Sequence, residues 1–135
     1  TLESLVGYLT SFAQDYLQGA QLSCRFDIPE NLPPLRVPSE VRHHLLLAFK
    51  EILTNIIRHA RATAVDIRLA VELPEGVLCI ADNGCGFVAG ASETRPGGGH
   101  GIASIHKRLE AIGGQCEVQS QPGSGTEIRL RWRFP

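Results

Sequence analysis

Hydrophobic positions recur along the chain with two periods. Leu2, Leu5, Val6, Leu9, Phe12, Ala13, Tyr16 and Leu17 fall at three- and four-residue steps, so a first amphipathic helix is predicted, with Gly19 as its stop. Leu22, Cys24, Phe26 and Ile28 then alternate with Ser23, Arg25 and Asp27, the pattern of a half-buried strand. The proline-rich stretch from Pro29 to Pro38 is a loop. It leads into a second helix over Ser39–His59, with Ser39 as N-cap and Val41, Leu45, Phe49, Ile52, Leu53 and Ile56 as its core-facing stripe. Val65, Ile67, Leu69 and Val71 alternate as a second strand, Pro74-Glu75-Gly76 turns the chain, and Val77–Ala81 returns it as a hairpin. A long glycine-rich loop covers residues 82–101. Ile102, Ile105, Leu109 and Ile112 restore helical spacing until Gly113-Gly114 ends it. Strands at Gln115–Gln121 and Thr126–Phe134 close the chain, joined by Pro122-Gly123-Ser124-Gly125.

The order α-β-α-β-β-loop-α-β-β, with strands joined mostly by hairpins, predicts an α/β two-layer sandwich. Its sheet is mixed but mostly antiparallel, of about five strands, and three helices cover one face. A length of 135 residues fits one domain. The chain opens at Thr1 on a helical pattern, so residues 1–135 are expected to be a piece of a longer protein. A net charge of −1 gives no reason to expect nucleic acid or acidic lipid as a partner. Cys24, Cys79, Cys85 and Cys116 are dispersed, a pattern of reduced thiols rather than zinc ligands or a redox pair. No apolar run approaches the ~20 residues that span a bilayer. The strand face bearing Arg129, Arg131 and Arg133 could bind phosphate, but with balanced charge a solvated sheet face is the simpler expectation.

Three places carry candidate chemistry. On the second helix Glu51, Asn55 and His59 stand at i, i+4 and i+8, so a carboxylate, an amide oxygen and an imidazole share one edge of a core-building helix. A solvated polar face would look the same. After the third strand comes Asp82-Asn83-Gly84-Cys85-Gly86-Phe87, in which a fixed carboxylate precedes backbone able to lie close to a ligand. Asp-Asn and Asn-Gly are also ordinary turn formers. The third is Gly97-Gly98-Gly99-His100-Gly101, opening onto a helix whose N-terminal N–H groups can seat phosphates. It matches neither the Walker nor the dinucleotide pattern.

Taken in order, these segments resemble the four boxes of the ATP-binding catalytic domain of bacterial sensor histidine kinases, within the Bergerat-fold group of gyrase and MutL ATPases. Glu51-Ile-Leu-Thr-Asn55-Ile-Ile-Arg58-His59-Ala60 is similar to the N box ExxxNxxxHA. Asp82 to Phe87 is similar to the first glycine box DxGxGF, and Gly97–Gly101 with Ile102 to the second. Gly123-Ser-Gly125-Thr126 is similar to the GxGT box. The likeness runs the whole chain and is nearest the nitrate-sensor and cell-envelope-stress subfamily. There GHGLxxMRERxxxLGG is usual, and His106 and Lys107 here replace an arginine and a glutamate.

The resemblance implies roles. Asp82 would accept from the adenine amino group, with Gly84, Gly86 and Phe87 lining the base and Thr126 supporting Asp82 directly or through water. Asn55 would be the protein's ligand to Mg²⁺, while Arg58 and His59 would donate near the phosphates. Gly97, Gly99, His100, Gly101 and Ile102 would hold the phosphate tail, and the residues between Phe87 and Gly98 would form an ATP lid. Glu51 would be the catalytic residue, as a base toward water or toward the receiving histidine. The cofactors implied are ATP and Mg²⁺.

None of His43, His44, His59, His100 or His106 lies in the expected acceptor motif. The isolated chain is therefore expected to bind Mg·ATP and to autophosphorylate little. The full protein is expected to be a homodimer with this domain in the cytoplasm, whether or not it is anchored in the inner membrane, and would pass phosphate to a histidine of its own dimerisation domain and then to a response regulator. No contact of this domain with membrane is implied. Two alternatives share the fold, an anti-sigma-type protein serine kinase and a non-catalytic ATP-binding module. The sequence upstream of Thr1 separates them.

Overall fold

A computed structural model describes residues 1–86 and 100–135, with side chains from Ile102 onward in the second stretch. The elements are α1 (Leu2–Gly19), β1 (Ser23–Asp27), α2 (Ser39–Asn55), a π-helical turn (Ile56–Ala60), β2 (Ala64–Glu72), β3 (Glu75–Asp82), α3 (His100–Ala111), β4 (Gln115–Ser120) and β5 (Thr126–Arg133). The strands form one sheet in the order β1-β2-β3-β5-β4. Among the described residues, β1 with β2 pairs parallel and the other three pairings are antiparallel. The expected mixed, mostly antiparallel five-strand sheet with three helices is present.

The alternation in β2 and β5 decides which face is covered. Val65, Ile67 and Leu69 of β2, Leu78 and Ile80 of β3, and Ile128, Leu130 and Trp132 of β5 join one buried cluster. The helices supply its other half: Leu2, Leu5, Leu9, Ala13 and Leu17 from α1, Leu45, Phe49, Ile52 and Leu53 from α2, and Ile105 and Leu109 from α3. Burial of this apolar set is the main favourable term in the fold.

Several local expectations are corrected. Ser39 is the first residue of α2, and Pro38 holds the N-cap position without a side-chain cap bond. Proline has no side-chain oxygen, so it cannot accept from the N–H groups of the first turn as Ser39 would have done at that position. The first helix does end at Gly19, as expected, and the left-handed residue just beyond it is Gln21 (φ 63°). Leu22 N–H donates back to the Leu17 carbonyl at 2.9 Å and closes the turn. The β2–β3 turn is Leu73-Pro74, and β3 runs on through Glu75 and Gly76. Gly76 faces Trp132 in register, and a Cβ there would lie 2.6 Å from the indole ring. Tyr16, expected in the stripe of α1, is exposed and bonds through its hydroxyl to Thr54 Oγ1 at 3.0 Å. Lys50 lies over the rings of Tyr8 and Phe12.

The outer sheet face bears the arginines. Arg131 Nε contacts Glu117 Oε1 at 2.7 Å, and Glu127 Oε1 is shared by Arg68 at 3.2 Å and Arg129 at 3.4 Å. Cys79, on this face and only 6% exposed, donates its thiol to the same Glu127 oxygen. Arg129 and Arg131 are thus engaged with acids of their own sheet face. All four cysteines are free.

Candidate functional site

The site forms where the C-terminal ends of α2 and β3 meet the β4–β5 turn. α2 does not continue to His59 as a regular helix. Residues Ile56–Ala60 make one π turn, and Arg61 leaves it in the left-handed conformation (φ 53°). Such turns are rare, occur mostly as single-turn bulges in α-helices, and are frequent at functional sites. The widened turn carries Arg58 and His59, both exposed, just beyond half-buried Asn55.

The last carbonyls of any helix need partners from outside it. Here the glycine loop supplies them. Cys85 N–H donates to the Ala60 carbonyl at 2.7 Å, and its thiol lies 3.7 Å from the His59 carbonyl. Asn83 fixes the other side of the junction. Its Oδ1 accepts from the N–H groups of Thr63 (2.9 Å) and Ala64 (3.0 Å), and its Nδ2 donates to Thr63 Oγ1 at 2.9 Å.

The three glycines of this loop and turn are set by contact. A Cβ on Gly84 would collide with the Ala60 carbonyl, one on Gly86 with the Gln121 carbonyl, and one on Gly125 with the Asp82 carbonyl. Gly86 and Gly125 also have positive φ, 65° and 80°. Gly123 N–H closes the bundle by donating to the Cys85 carbonyl at 2.6 Å. Backbone from four segments is thereby packed around the end of β3.

Asp82 lies half-buried at that end, on the same strand face as Leu78 and Ile80, directly opposite Thr126 in register. Burial raises its pKa, while the N–H groups of Gly84 and Thr126 pull the other way. Gly84 N–H donates to Asp82 Oδ1 at 2.8 Å. The hydroxyl of Thr126 is 2.8 Å from Ser120 Oγ, so its side chain is engaged with β4 and it is the backbone of Thr126 that supports Asp82.

Glu51 lies one turn before Asn55 on α2 and faces Arg108 of α3, Oε2 to Nε 3.9 Å. The α3 helix starts at His100, two residues earlier than its apolar spacing predicts, with Ile102 half-buried and Ile105 and Leu109 fully buried. Gly114 N–H returns to the Leu109 carbonyl at 2.8 Å and caps it. Phe87, Gly97, Gly99 and the expected lid lie outside the described residues, as do the side-chain positions of His100 and Gly101.

Three residues of this neighbourhood are not evident from motif and period. Asn83 acts through bonds to Thr63 and Ala64, distant in sequence, and Ser120 through bonds across the β4–β5 turn to Gly125 and Thr126. Arg108 sits three residues after Ile105, beside the apolar stripe of α3, and that spacing alone does not show that it meets Glu51. Ser120 was accessible to one signal: it continues the inward alternation Cys116, Val118, Ser120 of β4.

A half-buried carboxylate at a strand end, ringed by backbone that admits no Cβ, is suited to a flat polar ligand. The family model described as histidine kinase-, DNA gyrase B- and HSP90-like ATPase matches residues 40–135, from the start of α2 to the end of β5. The chain belongs to this ATPase family, an ATP-binding class of domain. It is 30% identical over 112 residues to the nitrate/nitrite sensor protein NarX of Escherichia coli K12, a match spanning 80% of this chain and 18% of that protein. It is 28% identical over 123 residues to the sensor histidine kinase LiaS of Bacillus subtilis, spanning 91% of this chain and 32% of that one. The chain therefore accounts for less than a third of the relative in both cases.

Among solved structures, Acinetobacter baumannii histidine kinase AdeS superposes with a TM-score of 0.75 at 22% identity, covering 98% of this chain and 64% of that one. Full-length ShkA in complex with AMPPNP superposes at 0.79 with 18% identity, covering 99% and 30%. At these identities the likeness is one of fold. The described residues, and not just the motif-bearing ones, share the fold of histidine kinase catalytic domains.

Proposed function

We propose that this chain, residues 1–135 as one domain, is the Mg·ATP-binding catalytic domain of a sensor histidine kinase. Within its parent it donates the γ-phosphate to a histidine of the dimerisation domain, from which a response regulator takes it. The observation that carries this reading is the setting of Asp82, a half-buried carboxylate opposite Thr126 at the end of β3. Gly84, Gly86 and Gly125 keep the surrounding backbone close enough to shape a slot.

In this reading Asp82 accepts from the adenine amino group; the guanine ring presents a carbonyl at that position, which an ionised carboxylate repels. Asn55 supplies an oxygen to Mg²⁺, a hard cation that takes one or two protein oxygens and completes its shell with phosphate and water. Among the described residues no cluster of three His, Cys, Asp or Glu side chains could hold a metal ion. That donor set fits a metal delivered with the nucleotide rather than one resident in the protein. Arg58 and His59, exposed on the π turn beyond Asn55, donate to the phosphates. Phosphoryl transfer is mainly positioning and charge stabilisation, so the acceptor histidine must be presented in line by the dimerisation domain. Glu51 assists its deprotonation.

The reading places the domain in the cytoplasm, where ATP is, in a homodimeric parent. No helix among the described residues is long and apolar enough to cross a membrane. Titration of the chain with ATP and GTP, each with excess Mg²⁺ and with EDTA, tests it. ATP binds more tightly than GTP, and Asn55→Ala weakens Mg·ATP much more than metal-free ATP. Equal losses with and without magnesium would remove Asn55 from the metal. Addition of the parent's helix-pair domain then yields a phosphohistidine, which is stable to base and labile to acid.

A further inference from the structure

We propose that Asn83 is a positioning residue that sets the spacing between the base contact and the phosphate donors. It therefore acts on ligands that carry both a base and a phosphate chain. The inference rests on the reading of Asp82 as the base contact and of Arg58 and His59 as phosphate donors.

These two ends of the site belong to different elements. Asp82 ends β3, whereas Arg58 and His59 stand on the π turn. Residues 61–63, between that turn and β2, belong to no helix or strand. Arg61 is left-handed there (φ 53°), a conformation that a residue with a Cβ adopts only when its surroundings impose it. The stretch must accordingly be tied at both ends, and the loop that follows Asp82 supplies both ties.

At one end Cys85 N–H donates to the Ala60 carbonyl at 2.7 Å, and Gly84 lies too close to that carbonyl to bear a Cβ. At the other end Asn83 Oδ1 accepts from the N–H groups of Thr63 (2.9 Å) and Ala64 (3.0 Å). Its Nδ2 donates to Thr63 Oγ1 at 2.9 Å, and its own N–H reaches the Ala64 carbonyl at 3.3 Å. The first tie is made by backbone and survives most substitutions. The second depends on a side chain with an acceptor of two lone pairs and a donor on one short planar group, which is asparagine. Asn83 is exposed, so its truncation opens no cavity in the core.

The consequence is specific to a bridging ligand. A nucleoside triphosphate that touches two fixed points gains from both only when their spacing matches its own. Loosening that spacing costs the bridging ligand and spares each half. A loss of folded population, by contrast, weakens every ligand by one common factor. The ratio between ligands therefore separates positioning from stability.

The test is titration of the chain with adenosine, Mg·tripolyphosphate and Mg·ATP, using NMR shifts for the weak ligands and calorimetry for Mg·ATP. Asn83→Ala should weaken Mg·ATP about tenfold or more while adenosine and tripolyphosphate change less than about twofold, since two or three neutral hydrogen bonds are removed. Thr63→Val removes only the contact to Nδ2, should weaken Mg·ATP by roughly threefold, and stands in if the alanine variant does not fold. Thr63→Ser keeps the hydroxyl and should retain wild-type affinities. Unchanged Mg·ATP affinity in Asn83→Ala, or a parallel fall for adenosine or for tripolyphosphate, overturns the inference. A wild-type chain that binds Mg·ATP no more tightly than adenosine overturns the reading of Arg58 and His59 themselves, an outcome visible before any variant is made.

Discussion

Glu51 and Arg108 meet across the α2–α3 interface, carboxylate oxygen to guanidinium Nε 3.9 Å, each about 30% exposed. The separation is that of an ion pair too long to be a hydrogen bond, and Arg108 Nε is buried with no hydrogen-bond partner among the described residues. The pair links the helix that bears Asn55 to the helix that follows the second glycine cluster.

An ion pair this exposed contributes little to stability, about 0.2–1 kcal/mol. A double-mutant cycle of Glu51→Ala and Arg108→Ala, read from urea midpoints, should therefore give a coupling energy below about 1 kcal/mol. The same two substitutions in the parent protein should depress phosphohistidine formation while ATP binding to this chain changes by less than about threefold, a shift of under ~0.7 kcal/mol. Coupling of about 2 kcal/mol or more would mean that Glu51 is retained to hold α2 and α3 together rather than for chemistry.

Gly84 leads to a second prediction. Its position against the Ala60 carbonyl leaves no space for a methyl group, and the obstacle is backbone, which cannot rotate away. Gly84→Ala should force the β3 loop off the π turn and lengthen the Cys85-to-Ala60 bond. Overpacking of this kind costs about 1–3 kcal/mol. Gly7→Ala is the matched control, since a Cβ there meets nothing within 4 Å and α1 gains a better helix former. A Gly84→Ala chain as stable as wild type, with undiminished ATP binding, would show that the loop can settle elsewhere without loss.

Much of the fold was legible because burial is periodic. The alternation Ile128, Leu130, Trp132 marked the inner face of β5, and the three-and-four spacing of Leu45, Phe49, Ile52 and Leu53 marked that of α2. Pairing partners were less accessible. Nothing local tells β1 to lie parallel to β2, or β5 to insert between β3 and β4, because both depend on segments far apart in sequence. The π turn was also hidden, since Ile56–Ala60 carries the same apolar spacing an α-helix would. Its difference lies in carbonyls turned toward the glycine loop. In the site, Asp82 and its glycines stood out through their order in the chain. Asn83 looked like a turn former, and its clamp on Thr63 and Ala64 exists only once β2 and β3 are paired. The glycine contacts, likewise, are visible only when Ala60, Gln121 and Asp82 are brought against them.

Asp82 predicts opposite effects on stability and binding. Burial lifts its pKa above the ordinary 3.8, so the native state holds the proton more readily than the unfolded chain does. Its contribution to stability is then greatest below the unfolded pKa and is lost as pH rises through the folded one. At pH 7 the ionised, half-buried carboxylate is a net cost that the bonds from Gly84 and Thr126 only partly offset. Asp82→Asn should therefore be at least as stable as wild type at pH 7, with any advantage fading toward pH 3. The same variant should lose about ten- to a hundredfold in ATP affinity, because a charge-assisted hydrogen bond is worth about 1.5–3 kcal/mol. Urea unfolding across pH and titration with ATP measure the two effects on one protein. A variant less stable at pH 7 than at pH 4 relative to wild type would contradict the sign.

The cysteines offer a chemical probe of the same slot. Thiol reactivity follows exposure and thiolate fraction. Burial pushes Cys24 and Cys116 up to about 11, and it raises Cys79 as well, with the Glu127 carboxylate adding to the shift. Cys85 is the exposed one, set between Gly84 and Gly86 where the base is proposed to lie. Iodoacetamide at pH 8 should modify Cys85 well before the other three, as peptide mass mapping would show. Saturating Mg·ATP should slow that modification, and Mg·GTP at the same concentration should slow it less. Cys85→Ser should remove the fast-reacting site while leaving the Cys85 N–H to Ala60 bond intact, so ATP binding should persist. Labelling of Cys85 that is indifferent to ATP, in a chain shown by titration to be saturated, would put the nucleotide somewhere other than the end of β3.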